Sequence, residues 1–371
     1  MFGAANTVFV LVGERQVLFS ERRQEVYELN DAAAYIWCRL QDGATPDAAA
    51  EGLVGLGFSQ DAAGCHVRNM LDEWRRLGLF DRMDTDGAWP GADDDRIQNL
   101  RIAGLNICLR YGRSSLRRLV APTFAHLEAV AAGPADVSLA LEVDGDRIRL
   151  VGVEGDTASW DTVCTADEIV PAVKALLTAE LLARGRHPLA IHAAALARDG
   201  RMLLLCGTPG VGKTTLAMAL VQAGFGYGGD DIALLTEDGE VAGVPFAAAI
   251  KSGAWAMVSR CRPDLMGLPA FRRPDGQDVR YLPPDHLPVS TALPIGWVVV
   301  LRRGRSAFPV LTPLDRVAAI RLILAEASAP QGRLSTAAFR LLARSLGNAE
   351  CHALDFSDLD GAVQTLLRTC R

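Results

Sequence analysis

The chain has 371 residues, half of them hydrophobic and 6% aromatic, so it has room for two or three domains that each bury a core, and a single small scaffold is excluded. The formal net charge of −6 argues against a nucleic-acid partner, because such binding depends on clustered Lys and Arg. Eight cysteines without a CxxC pair, and no apolar run near the ~20 residues that span a bilayer, predict a cytoplasmic protein with no zinc site, disulfide framework or membrane segment.

Residues 1–85 are predicted to form a small α+β module. The runs VFVLVG, QVLFS and EVYELN have the composition of short strands. Asn30 and the pair Thr45-Pro46 are typical of helix starts, and a third helix carries one apolar stripe before Gly78. The stripe consists of Val67, Met70, Leu71, Trp74 and Leu77.

The segment EVYELNDAAAYIW, within three strands followed by three helices, resembles the PqqD family, whose small winged-helix-like modules hold precursor peptides for modifying enzymes. The resemblance implies that the partner is a precursor peptide or small protein acceptor, whose leader adds a strand to the small sheet. The alternative is an N-terminal folding cap in which Tyr27 and Leu29 are simply core residues.

Residues 86–99 are rich in Asp, Gly and Pro and are predicted to be a linker to a second domain, residues 100–371. In that domain we expect strands at LRIAGLNICLRY, VSLALEVDG and RIRLVGVEG, and helices at LVAPTFAHLEAVA and ADEIVPAVKALLTAELLARG. The DGDR turn between the last two strands indicates a hairpin.

A glycine-rich loop follows the apolar strand RMLLLC and precedes the helix TTLAMALVQAG. It matches G-x-x-x-x-G-K-[ST], in which backbone amides and a helix N-terminus surround phosphates. Lys213 is expected to reach the β- and γ-phosphates of ATP, and the Thr214 hydroxyl to ligate Mg²⁺. The predicted nucleotide-binding residues are Gly207, Thr208, Pro209, Gly210, Val211, Gly212, Lys213, Thr214 and Thr215.

An acidic pair, Asp230 and Asp231, comes soon after this loop. The helix carries the chain about 15 Å away, and FGYGG returns it a similar distance if it runs parallel to the strand at 202–206. One carboxylate could then hold Mg²⁺ while the other accepts a hydroxyl proton. A strand-end turn or a helix cap is the alternative reading of the pair.

The segments LAIHAAAL, LLLCGTPGVGKTTLAMAL and GFGYGGDDIALL are similar to the HPr kinase/phosphorylase family, which shares its nucleotide site with ATP-dependent phosphoenolpyruvate carboxykinase. The resemblance implies an α/β P-loop kinase domain that transfers phosphate to a serine. It implies Asp230 as the base, Asp231 as its partner or a magnesium contact, and His192 as a further site residue on the preceding strand. The sequence leaves open which aspartate takes which role. It also leaves open whether the chain forms a homo-oligomer.

The sequence departs from that family because the downstream phosphorylase signature is missing, which puts reverse dephosphorylation and HPr as the acceptor in doubt. Lys251 is either a second phosphate contact or a surface lysine. The segment RRPDGQDVRYLPPDHLP, which contains Arg272, Arg273 and Arg280, is a lid, an acceptor loop or a plain surface loop. PIGWVVVLRRG, LDRVAAIRLILAEA and STAAFRLLARSLG are predicted scaffold elements.

Together these features predict an ATP- and Mg²⁺-dependent kinase for a Ser or Thr hydroxyl of a ribosomally made peptide captured by the first module. Tethering would raise the effective concentration of a weakly bound acceptor. Two alternatives remain, namely a kinase of a small hydroxylated metabolite and an ATP-gated peptide chaperone that transfers no phosphate.

Overall fold

The computed structural model describes residues 7–13, 15–20, 25–42, 44–77, 79, 96–130, 133–145, 147–154, 157–304 and 308–371. These residues form a mixed α/β structure with two compact units. The first unit takes the described parts of Met1–Ile97, Arg110–Arg113 and Ser138–Thr165, and the second takes Gln98–Leu109, Ser114–Val137 and Ala166–Arg371. Gly78 and most of the expected linker lie outside the described residues. The domain boundaries drawn from the sequence stay a prediction.

The first unit opens with three strands and three helices, as predicted. Their bounds are β1 (Thr7–Val12), β2 (Arg15–Ser20), β3 (Glu25–Leu29), α1 (Asp31–Gln41), α2 (Pro46–Gly55) and α3 (Gln60–Arg76). The strands form an antiparallel sheet in the order β1-β2-β3. The Asn30 side chain accepts from the Ala33 amide at 2.8 Å and Thr45 from Ala48 at 3.2 Å, so both helix caps are confirmed.

The core of this module lies between the sheet and the helices. Leu18 of the central strand is fully buried, and the rings of Trp37 and Trp74 meet edge to face with centroids 5.2 Å apart. Such aromatic pairs add to the stabilisation from buried area alone. Leu18 of the sheet and Val67, Leu71 and Trp74 of the α3 stripe therefore belong to one shared core.

The chain continues with β4 (Ile97–Ile102), β5 (Leu105–Tyr111), α4 (Ser114–Phe124), β6 (Val137–Asp144), β7 (Arg147–Glu154) and β8 (Thr157–Cys164). LRIAGLNICLRY, expected as one strand, is divided between β4 and β5 because Ala103 and Gly104 both adopt positive φ, 48° and 86°. Two successive positive φ angles are the requirement of a tight hairpin turn. The hairpin between β6 and β7 is confirmed.

The rest of the second unit alternates short strands and helices. In chain order these are α5 (Ile169–Arg184), β9 (Leu189–Ile191), β10 (Ala194–Arg198), β11 (Arg201–Cys206), α6 (Lys213–Gln222), β12 (Gly226–Gly229), β13 (Ala233–Leu235), β14 (Val241–Gly243), β15 (Ala248–Lys251), α7 (Trp255–Val258), β16 (Phe271–Arg272), β17 (Asp278–Leu282), β18 (Ile295–Arg303), β19 (Val310–Pro313), α8 (Arg316–Ala325), β20 (Ala327–Ser328), α9 (Thr336–Ser345), β21 (Glu350–Phe356) and α10 (Leu359–Thr369).

A six-stranded sheet in the order β12-β10-β11-β18-β21-β19 is the centre of this unit. The strands β11, β18 and β21 are parallel. Leu203 and Leu205 face a cluster that includes residues of α6 and α10, whereas Met202 and Leu204 face one that includes residues of α8 and α9. Because both faces are covered, the strands are continuous apolar runs and do not alternate.

Two smaller sheets complete the unit, in the orders β14-β13-β9-β20 and β15-β17-β16. LAIHAAAL was expected as one strand, but β9 ends at Ile191 and β10 begins at Ala194. The two halves pair in different sheets, so the chain crosses from one sheet to the other at His192 and Ala193. The segment RRPDGQDVRYLPPDHLP is likewise not a plain loop, since it contains part of β16 and all of β17.

The end of β12 packs unusually closely against the backbone after β14. A Cβ built on Gly229 would lie 2.3 Å from the Val244 carbonyl oxygen, and one on Gly243 would lie 2.5 Å from the Gly228 carbonyl carbon. No side chain fits at these distances. The glycines of GFGYGG thus allow the two backbones to touch, and this contact determines where the chain leaves β12.

We predict that Gly229→Ala lowers the free energy of unfolding by about 1 to 3 kcal/mol, as overpacking of a tight core does. Urea unfolding measures this change in the free energy of unfolding. Gly267→Ala is the matched control, because a Cβ on Gly267 would meet no atom within 4 Å. Equal stability of the two variants would contradict the role given to this contact.

Candidate active site

The glycine-rich loop, residues 207–212, connects the carboxyl end of β11 to the first turn of α6. Gly207, Gly210 and Gly212 have φ values of 143°, 85° and 108°, a region that residues with a side chain rarely adopt. No side chain caps the N-terminus of α6. Its first amides are therefore available to an anion, which the partial positive charge of the helix end also attracts.

Lys213 begins α6 and folds back along the loop. Its side chain is buried, and Nζ donates a hydrogen bond to the Gly207 carbonyl oxygen at 2.6 Å. Burial lowers the pKa of Lys213, while the nearby charge of Asp231 opposes that shift. Lys213 thus places its own positive charge against the glycine-rich loop.

The strand β12 brings the acidic pair back to this loop. It is antiparallel to β10, which is antiparallel to β11, so β12 runs parallel to β11 as the predicted return of the chain requires. The Thr214 hydroxyl donates to Asp230 Oδ2 at 3.2 Å. The first turn of α6 and Asp230 are therefore in direct contact.

Asp230 is deeply buried, with 3% of the residue exposed. Besides Thr214, its Oδ2 accepts from the Ala249 amide at 3.1 Å, and the Tyr227 hydroxyl lies 3.5 Å from Oδ1. Burial raises the pKa of Asp230, Lys174 opposes this shift, and the charge of Asp231 adds to it. Two hydrogen bonds thus fix Oδ2, and the buried carboxylate is costly to ionise.

Asp231 lies in a different environment, with 42% of its side chain exposed. His192 Nδ1 is 3.1 Å from Oδ1, and Lys174 Nζ is 3.6 Å from Oδ2. Burial opposes ionisation here too, but the hydrogen bond from His192 and the charge of Lys174 outweigh it and lower the pKa of Asp231. The adjacent carboxylates therefore differ in both access and acidity.

Lys174 is a site residue that the sequence reasoning missed. It lies in the middle of α5, almost fully buried, with Nζ 5.6 Å and 5.8 Å from the ring centroids of Phe246 and Tyr281. The signal was present, because Lys174 falls on the buried stripe of α5 between Val170 and Leu177. A lysine on such a stripe is uncommon unless its charge has a partner.

A cavity of about 670 Å³ opens over these groups. Of the predicted site residues it is lined by His192, Pro209, Gly210, Gly212, Lys213, Thr214, Thr215, Asp230 and Asp231. The remaining ones, Gly207, Thr208 and Val211, line a neighbouring cavity on the same loop. The fold thus brings every predicted site residue to one place, while their roles stay predictions.

The basic residues left open by the sequence separate into two groups. Lys251 and Arg273 line the larger cavity, and so does Arg303, which the sequence did not single out. Arg280 stacks on Trp255 and donates to the Leu265 carbonyl at 3.0 Å, and Arg272 pairs with Asp278. Arg280 and Arg272 therefore have structural partners outside the cavity.

Among the described residues, no group of three or more His, Cys, Asp and Glu side chains is arranged to hold a metal ion. Mg²⁺ commonly takes only one or two protein oxygens and completes its shell with phosphates and water. A hydroxyl next to one carboxylate, as at Thr214 and Asp230, fits such a site. In the same part of the chain, no helix combines the length and apolarity needed to cross a membrane.

Comparison with known proteins identifies a family model that matches part of the chain. Residues 15–79 match the family model described as Coenzyme PQQ synthesis protein D (PqqD). No curated protein matches the chain. The resemblance to PqqD inferred from EVYELNDAAAYIW is therefore confirmed for the N-terminal module.

Three solved structures are similar to the chain at low identity. TbiB1 in complex with the TbiA(beta) leader peptide is 15% identical with a TM-score of 0.21, covering 24% of this chain and 100% of that one. Lasso peptide synthetase B1 complexed with the leader peptide is 23% identical with a TM-score of 0.21, covering 22% and 96%. The Hpr(Ser) kinase/phosphatase from Coxiella burnetii is 14% identical with a TM-score of 0.24, covering 49% and 95%.

We expect removal of the charge of Asp230 and of Asp231 to change the stability of the fold in opposite directions. A raised pKa means that ionised Asp230 costs stability above its folded pKa, so Asp230→Asn should unfold at a higher temperature than the wild type at pH 8. The gain should vanish as the pH falls below the unfolded value of about 3.9.

Asp231→Asn is the matched comparison. The lowered pKa means that ionised Asp231 stabilises the fold above about pH 3.9, and this stabilisation is lost as the pH falls through the folded pKa. The variant should therefore unfold at a lower temperature than the wild type at pH 8. Thermal unfolding followed by circular dichroism measures the unfolding temperature of both variants. Changes of the same sign relative to the wild type would contradict the environments described for the two aspartates.

Proposed function

We propose that this chain is an ATP-dependent kinase that phosphorylates a Ser or Thr hydroxyl of a ribosomally synthesised precursor peptide or small protein captured by its PqqD-like module. One observation carries the proposal, namely the hydrogen bond that ties Thr214, in the first turn of α6 after the glycine-rich loop, to Asp230, whose neighbour Asp231 faces an open cavity. Phosphoryl transfer to an alcohol requires a loop that binds the phosphates and, next to it, a carboxylate that accepts the hydroxyl proton.

The proposed fold assignment follows from the same elements. The second unit would be a P-loop kinase domain of the HPr kinase and phosphoenolpyruvate carboxykinase type, and the first a winged-helix-like module. In support, the loop lies between a buried strand and a helix, and a parallel strand returns the acidic pair to it.

The residues present fit a nucleotide with magnesium. The loop amides and Lys213 would hold the phosphates, and the Thr214 hydroxyl, supported by Asp230, would hold the ion. Bound Mg²⁺ supplies charge neutralisation for the phosphates. Lys251, Arg273 and Arg303 add positive charge around the same cavity and would attract the nucleotide as well.

We assign different roles to the two aspartates. Resemblance to HPr kinase implies Asp230 as the base, but the residue is buried and its Oδ2 already accepts from the Thr214 hydroxyl and the Ala249 amide. Asp231 is open to the cavity, so it would accept the proton of the attacking hydroxyl. Reach to the substrate takes precedence over pKa in such an assignment.

His192 and Lys174 would position Asp231 for this step. Each contacts a different oxygen of the carboxylate, so together they fix its orientation and keep it ionised. Because His192 lies where the chain crosses between two sheets, its backbone is held on both sides. A carboxylate oriented in this way needs little reorganisation during the reaction.

The N-terminal module would supply the substrate. The two similar leader-binding structures are complexes with leader peptides, and residues 15–79 match PqqD. We infer that a leader peptide adds a strand to the β1-β2-β3 sheet, so that main-chain hydrogen bonds give affinity and side-chain pockets give selectivity. Holding the leader would raise the local concentration of the acceptor hydroxyl.

Site variants test the division of roles by steady-state kinetics with Mg-ATP and a precursor peptide. Asp231→Asn should lower kcat by about 10²- to 10⁴-fold with little change in the KM for Mg-ATP, as loss of a general base does. Asp230→Asn should weaken the apparent affinity for magnesium by about 10- to 100-fold, as loss of a supporting group does.

Lys213→Ala is the reference for lost phosphate stabilisation and should reduce kcat by at least about 100-fold. Full activity of Asp231→Asn together with loss of kcat in Asp230→Asn would reverse the two roles. Full activity of Lys213→Ala would remove the basis of the proposal.

The leader requirement is tested with the full chain and two acceptors of identical core, one with its leader and one without. We expect kcat/KM to be at least about 100-fold higher for the leader-bearing acceptor, which corresponds to the lower range of tethering gains. Phosphopeptide formation followed by mass spectrometry gives both values. Equal kcat/KM values would instead favour a kinase whose N-terminal module does not select the substrate.

A further inference from the structure

A second cavity, of about 560 Å³, lies next to the glycine-rich loop. Its lining includes Pro209, Gly210 and Arg303, and these three residues also line the larger cavity that contains the acidic pair. The two cavities therefore meet at the loop. A ligand whose phosphates contact the loop amides has room to extend into either of them.

The walls of this second cavity differ in chemistry from those of the first. Val300 and Leu301 form one side at the end of β18, and Leu322 and Ala325 of α8 form another. Leu322 is 40% exposed although it belongs to the apolar side of the cavity. A flat apolar group entering between these walls would cover surface that is now in water.

Charged groups also line the second cavity. Glu326, at the end of α8, lies in the lining of the second cavity, and its charge acts on Lys213. A carboxylate repels phosphate but accepts hydrogen bonds from amino and hydroxyl groups. Glu326 thus suits the amino and hydroxyl groups of a nucleoside, while Arg302 and Arg303 in the same lining carry positive charge that phosphates can approach.

From this geometry we infer that the second cavity binds the nucleoside of the phosphate donor, with the base between β18 and α8 and Glu326 as acceptor for its amino or hydroxyl groups. The inference rests on the proposed function, because the acceptor hydroxyl must occupy the other cavity next to Asp231. Arg303, which lines both cavities, then lies where the nucleoside joins the phosphates.

The site has a backbone connection to the acidic pair. The His192 amide donates to the Glu326 carbonyl oxygen at 3.3 Å, and Ala327 pairs with Ile191 in the β9-β20 ladder. A base contacting Glu326 would therefore lie one hydrogen bond away from the residue that orients Asp231. Glu326 and His192 therefore lie at the same end of one short strand pair.

The test is binding of two probes, Mg-ATP and inorganic triphosphate with Mg²⁺, measured by isothermal titration calorimetry on the full chain. Ala325→Trp fills the cavity from its exposed wall without adding charge. We expect its ATP dissociation constant to rise at least about tenfold, while that for triphosphate stays within about twofold. Val317→Trp is the matched control on the same helix, since Val317 is 56% exposed and does not line the cavity.

A second variant guards against misfolding of the first. Leu322→Asn removes apolar contact instead of filling the space, and it should weaken ATP binding in the same selective way. Unchanged ATP binding in both variants would overturn the inference, and so would equal loss of ATP and triphosphate. Selective loss of ATP binding supports it even if the wild type phosphorylates no peptide, an outcome that would reject only the proposed function.

Discussion

The hydrogen bond between Thr214 and Asp230 connects the two halves of the candidate site. It joins the first turn of α6 to the end of β12, two elements separated by the whole length of the helix and its return strand. The contact is possible because Gly229 and Gly243 let the end of β12 lie directly against the backbone at the end of β14. Close backbone packing in one place thus determines where Asp230 meets the first turn of α6.

Electrostatics then separates two neighbouring residues of the same type. Asp230 is held by neutral donors in a buried position, so its charge is costly. Asp231 has a buried lysine and a histidine beside it and keeps its charge readily. Sites that divide acid and base roles between two carboxylates commonly depend on such unequal surroundings. The arrangement supports one aspartate on the side of the phosphates and the other on the side of the acceptor.

Local patterns predicted much of this structure. The glycine spacing of the loop, the apolar strand before it and the caps at Asn30 and Thr45 each depend on a few adjacent residues, and the structure has them where expected. The return of Asp230 and Asp231 could be predicted from the lengths of the helix and of the FGYGG segment, with a parallel return assumed. These features follow from backbone geometry that a short sequence specifies.

Other features depend on contacts between distant segments and were not predicted. The break at His192 arises because β9 and β10 pair with different strands, and LAIHAAAL carries no turn residue to indicate it. β21 and α10 complete the main sheet and its cover, yet neither was recognised. Lys174 was overlooked because its importance depends on Asp231, 57 positions later in the chain.

The central claim is that the acidic pair directs the phosphoryl group of ATP to a hydroxyl and not to water. The most direct measurement is the ³¹P NMR spectrum of a reaction containing the full chain, Mg-ATP and a leader-bearing precursor peptide. The account predicts a phosphomonoester on the peptide that forms in equal amount with ADP. ADP accompanied only by inorganic phosphate would contradict it and would indicate a nucleotide-gated peptide carrier instead.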